Sequence, residues 1–88
     1  MKNKINNINI YDTVRYNIRK YRKLNNMTQQ QLADAAELSH GYIREIESLK
    51  MKKTFSLDAV EKIANALNIN FKLLFEEPDQ KFINSINN

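Results

Sequence analysis

Few residues in this chain are of types that carry catalysis or hold metals. His40 is the only histidine, and there is no cysteine. A lone imidazole builds neither a metal site nor a Cys–His pair. The single glycine, Gly41, rules out a glycine-rich phosphate cradle. The acids are scattered, and most stand where they would cap helices or decorate a surface. These absences argue against an enzyme and against any cofactor or small-molecule ligand. What remains is cations. Residues 1–53 hold eleven basic and five acidic side chains, and residues 54–88 hold three and five, so the charge is +6 in the first part and −2 in the second. Chemistry available to such a chain is the recognition of a polyanion by a basic N-terminal part.

The elements that would position those cations centre on Thr28 to Lys50, TQQQLADAAELSHGYIREIESLK. Thr28 and Gln31 have capping-box spacing, in which hydroxyl and amide satisfy the orphan N–H groups of a helix start. Leu32, Ala33 and Ala36 then fall on one helical face. Ser39 is a second N-cap, opening a helix whose apolar side is Ile43 and Ile46. The break at Glu37-Leu38 leaves room for a tight turn only. Two short helices so joined bury their apolar sides only against other helices, in a crossed arrangement. The result is a helix-turn-helix, whose usual work is reading DNA.

Residues 1–13 are expected to form a flexible N-terminal arm, rich in Asn, Lys and Ile. Asp12 or Thr13 is expected to cap a first helix running to about Leu24, with Val14, Ile18 and Tyr21 as its buried stripe. Arg15, Arg19, Lys20 and Lys23 would cover its other sides. Asn25-Asn26 ends it, because Asn tolerates the left-handed conformation of a helix exit, and Met27 plugs the core. Beyond the central pair, Ser48 to Phe55 forms a loop with three lysines. Ser56 caps a fourth helix, with Leu57, Val60, Ile63, Ala64 and Leu67 as its apolar face and Asn68 as its exit. Asn70 caps a short fifth bearing Phe71, Leu74 and Phe75, and Pro78 stops any continuation of it. The fold class is therefore all-α, five short helices, with a domain over residues 14–76. Residues 77–88 form a C-terminal tail whose Phe82, Ile83 and Ile86 suggest a dimer contact. An apolar fraction of 42% supports one compact core. No run is long and apolar enough for a membrane span, nor does one come after the N-terminal lysines as in a signal peptide. With no disulfides, a cytoplasmic protein is expected.

Val14 to Phe75 resembles the lambdoid repressor/Cro-type helix-turn-helix family, also called the xenobiotic-response-element type. The carrying residues are IRKYRKLNNMTQQQLADAAELSHGYIREIES, then SLDAVEKIANALNI, and they cover about seventy per cent of the chain. In that family the second helix crosses the DNA backbone and the third lies in the major groove. The resemblance implies that Gln29 meets a phosphate at the start of helix 2. His40, Gly41 and Glu45 would face base edges, with Tyr42 and Lys50 nearer the backbone. It also implies that Arg22 and Glu47 form an ion pair joining helix 1 to helix 3. Arg44, Lys52 and Lys53 complete the expected DNA-binding set. Glu45 has two readings: it accepts from cytosine N4, or it orients Arg44 or Arg19.

Three positions depart from the family pattern. The turn between helices 2 and 3 usually holds Gly where this chain has Glu37, so a reshaped turn is expected. The loop after helix 3 begins Ser48-Leu49 in place of Asn-Gly and runs about two residues longer. Helix 3 also offers few of the usual Gln or Arg side chains. The function expected is a bacterial, repressor-like transcriptional regulator binding double-stranded DNA as a homodimer. The alternative is an antitoxin or other protein-interaction module built on the same domain.

Overall fold

The computed structural model describes residues 9–78. Four α-helices and one 3-10 helix occur in chain order: α1 Ile10–Leu24, α2 Gln29–Ala36, α3 His40–Glu47, α4 Leu57–Leu67 and the 3-10 helix Phe71–Phe75. No strand occurs among the described residues.

Most of the boundaries are set by side-chain caps. Thr28 and Gln31 form the full capping box at the start of α2, with bonds of 3.0 and 2.9 Å. Ser39 and Ser56 accept from the third residue onward, at 3.1 and 3.0 Å, to open α3 and α4. Asn70 opens the 3-10 helix. Asn26 and Asn68 adopt left-handed exits at φ 56° and 59°. Each bond satisfies a helix-end group that would otherwise be orphaned.

One cap lies elsewhere than the residue pattern suggests. α1 starts at Ile10, capped by Asn9, whose Oδ1 accepts the Asp12 N–H at 2.9 Å. Asp12 and Thr13 are buried in its first turns, so residues 9–13 are cap and helix and not part of an arm. Asp12 cannot cap because its carboxylate is bound to Arg15 and Lys52. Residues 1–8 of the expected arm lie outside the described residues. So do residues 79–88, which include Phe82, Ile83 and Ile86.

All four α-helices feed one core. Val14 and Ile18 from α1 meet Leu32, Ala33 and Ala36 from α2, Ile43 and Ile46 from α3, and Val60, Ile63, Ala64 and Leu67 from α4. Leu74 of the 3-10 helix closes it, fully buried. Asn17 holds that helix to α1 by donating to the carbonyls of Leu74 and Glu76 at 2.8 and 2.7 Å. Leu57 departs from its expected place: it is 66% exposed. The apolar stripe of α4 overruns the core by one turn, leaving Leu57 on the surface between Ile10, Phe71 and Phe75.

Candidate nucleic-acid interface

The turn between α2 and α3 is closed by two main-chain hydrogen bonds. Leu38 N–H donates to Ala33 O at 2.9 Å and Glu37 N–H to Asp34 O at 3.2 Å. This is the Schellman pattern, which needs a left-handed residue. Glu37 supplies it at φ 60°, ψ 40°. The turn is therefore not reshaped to avoid the missing glycine; Glu37 takes the strained conformation itself, at a cost of roughly 1–2 kcal/mol. Leu38, half-buried against the core, helps hold it there.

Arg22 and Glu47 tie the other end of α3 to α1. Arg22 Nε and Nη2 donate to the two carboxylate oxygens of Glu47 at 2.7 and 2.9 Å. The Glu47 side chain is 1% exposed. Arg22 Nη1 also donates to Met27 O at 2.8 Å, which fixes the entry to α2. Gln29 Nε2 adds a bond to Glu47 Oε1 at 3.1 Å. Three helices thus meet on one carboxylate, and the Gln29 amide faces inward to that node.

With Ile43, Ile46 and Glu47 buried, the opposite side of α3 faces solvent. His40, Gly41, Arg44 and Glu45 share it, at spacings of one and four residues. Arg44 is exposed and the others are half-buried. A Cβ built on Gly41 meets only the Arg44 guanidinium, at 3.9 Å, so the backbone there lies open to an approaching surface. Tyr42 flanks this face and packs partly on the core, and its N–H is taken by Ser39. Glu45 makes no ion pair or side-chain hydrogen bond with any described residue, Arg44 and Arg19 included.

Beyond α3, Ser48 Oγ accepts the Met51 N–H at 3.1 Å and folds the loop back. Lys50, Lys52 and Lys53 are all exposed. Lys52 Nζ lies 3.3 Å from Asp12 Oδ2. The loop is pinned from beneath by Arg15, which is 2% exposed and not the surface cation its place on α1 suggests. Its charge gave no sequence signal of burial, since its two carbonyl acceptors, Ile46 O and Lys53 O, are 31 and 38 residues away. The spacing of Asp12 and Arg15, one helical turn apart, was the sole local hint.

Among the described residues no group of His, Cys, Asp and Glu could hold a metal. None of their helices is long and apolar enough to cross a membrane. The profile of the helix-turn-helix family matches residues 18–74, more than half of the chain. The chain belongs to the Cro/C1-type helix-turn-helix family.

Among solved structures, this helix-turn-helix protein is similar to a hypothetical transcription factor from Neisseria. The TM-score is 0.73 and the identity 24%, over 85% of this chain and 84% of that one, a likeness of fold. It is also similar to the restriction-modification controller protein of Aeromonas hydrophila. There the TM-score is 0.64 and the identity 29%, over 73% of this chain and 97% of the other. No curated protein matches it.

Proposed function

We propose that this helix-turn-helix protein is a sequence-specific, repressor-like regulator of transcription that binds double-stranded DNA as a homodimer and lays α3 in the major groove. The observation that carries the reading is the division of α3 into two faces. One is locked to α1 and α2 through Ile43, Ile46 and Glu47; the other presents His40, Gly41, Arg44 and Glu45 to solvent beside a basic loop. Base contacts distinguish sequences and phosphate contacts hold the register. Arg44, Lys50, Lys52 and Lys53 suit phosphate, while His40 and Glu45 suit base edges, with Gly41 allowing close approach. Tyr42 would sit at the backbone. Gln29 would meet a phosphate through its main-chain N–H at the start of α2, where the helix end favours anions, since its side chain is engaged by Glu47. The similar controller protein and transcription factor support a role in gene control.

Exposed Ile10, Leu57 and Phe71 border cavities, one of about 280 Å³ lined also by Phe55 and Phe75. Exposed apolar surface of this kind supports self-association. It also favours the second reading, a module whose main partner is another protein. Titration of duplex DNA by fluorescence anisotropy between about 50 and 300 mM salt tests the proposal. Four cations per protomer lead us to expect a log–log slope of roughly −3 to −4 per protomer. No binding at about 50 mM, or binding indifferent to salt, sinks it in favour of the protein-partner reading.

A further inference from the structure

Arg15, like Arg22, is a buried cation of α1. Its side chain is 1% exposed, and each of its three nitrogens donates a hydrogen bond. Nε donates to Asp12 Oδ1 at 2.9 Å, Nη1 to Ile46 O at 2.8 Å and Nη2 to Lys53 O at 2.8 Å. The guanidinium carbon lies 5.6 Å from the centre of the Phe55 ring, against which Tyr11 packs edge-on at 5.1 Å. One carbonyl belongs to the last turn of α3 and the other to Lys53, in the loop that leaves it. One planar group therefore ties α3 and the first part of that loop to α1.

The loop needs fixing. Lys52 has φ 51°, in the left-handed region. A residue with a Cβ persists there only where its surroundings over-determine it. Here they act from both sides: Lys52 Nζ is drawn to Asp12, and the carbonyl of the next residue is held by Arg15. The Lys52 side chain remains 63% exposed, so its ammonium still faces solvent. Burying a charge costs stability, and a well-packed apolar side chain serves a core as well or better. An apolar chain cannot hold two carbonyls in set directions, whereas the rigid fork of a guanidinium can.

We propose that Arg15, seated on Asp12, is a positioning residue for nucleic-acid binding, holding residues 48–53 so that Lys50, Lys52 and Lys53 meet the phosphate backbone beside the exposed face of α3. The inference rests on the DNA-binding reading above. It makes the contribution of the loop lysines depend on a residue that never touches DNA.

The test is a double-mutant comparison on the full chain. Binding to a duplex of about 30 base pairs and mixed sequence is measured against salt for four proteins: the wild type, Arg15→Met, the pair Lys50→Ala/Lys53→Ala, and the triple variant. Arg15→Met should lower affinity about tenfold near 100 mM salt and flatten the slope by roughly one to two units. The lysine substitutions should then cost less than half as many decades in the Arg15→Met background as in the wild type. Adding Asp12→Asn to Arg15→Met restores the wild-type net charge and should not restore the affinity, because geometry and not net charge is lost. A folded Arg15→Met that keeps wild-type affinity and slope, or fully additive losses, overturns the inference alone. A wild type that binds no duplex overturns it together with the functional reading. Should Arg15→Met fail to fold, backbone 15N relaxation of the wild type decides. Order parameters for Lys50 to Lys53 near the rigid value of about 0.85 are expected, and values below about 0.6 contradict the clamp.

Discussion

Glu47 accepts two parallel hydrogen bonds from Arg22, at 2.7 and 2.9 Å, with the acid side chain 1% exposed. The pair joins α1 to the end of α3, and Gln29 adds α2. Its geometry makes it a fixed hinge pin for the helix that faces outward. Removing one partner of such a pair leaves the other charge buried and uncompensated. Glu47→Ala should therefore destabilise the fold by about 3–5 kcal/mol in urea melts. A loss below about 1 kcal/mol would place the pair with ordinary surface bridges. Gln29→Ala, which removes one neutral donor to a charged acceptor, should cost about 1.5 kcal/mol.

Glu37 carries strain that a glycine would not. Glu37→Gly should raise stability by about 0.5–1 kcal/mol, since relief of the left-handed conformation exceeds the entropy a glycine adds to the unfolded chain. Thermal melts measure it. A lower melting temperature would mean that the Glu37 side chain makes a compensating interaction.

Much of this fold is readable from residue types because its helix ends are set by local chemistry. Thr28 with Gln31, Ser39, Ser56 and Asn70 announce their caps within three residues, and Asn26 and Asn68 their exits. Arg22–Glu47 was legible only through family likeness, since nothing local joins residues 25 apart. Arg15 was not legible. A cation on an amphipathic helix reads as surface, and its burial depends on carbonyls that only the tertiary fold brings near. Leu57 misled for the opposite reason: helical periodicity places it on the apolar stripe but does not say where the core ends. Asp12 misled as a cap because two cations claim its carboxylate. For the interface, spacing indicated which face of α3 is exposed. It did not show that the Gln29 side chain turns inward or that Glu45 lacks a described partner.

Gly41 separates stability from binding. Its surroundings leave room for a methyl group, and alanine is the better helix former, so Gly41→Ala should leave stability unchanged or raise it by up to about 0.5 kcal/mol. Duplex affinity should nonetheless fall about tenfold if DNA approaches the backbone there. Unchanged affinity would show that Gly41 stands clear of the DNA.

Leu57 tests self-association. Leu57→Glu places a carboxylate in the first turn of α4, where the helix dipole favours it, so the fold should be unaffected. Sedimentation should show the wild type as a dimer and the variant shifted to monomer. A chain ending at Glu77 tests the tail in the same way. A variant as dimeric as the wild type in both cases would place the interface elsewhere.

If the exposed face of α3 reads base edges, a change of chemistry at Glu45 alters the preferred sequence. Unpaired among the described residues, its carboxylate can only accept hydrogen bonds. Glu45→Gln keeps the shape, removes the charge and adds a donor. Selection from random duplexes, read by sequencing for both proteins, should yield a defined site for the wild type. The variant's site should differ at one position per half-site, by about 1–3 kcal/mol in base preference. Identical preferred sequences, or no enrichment by the wild type at all, would contradict the account.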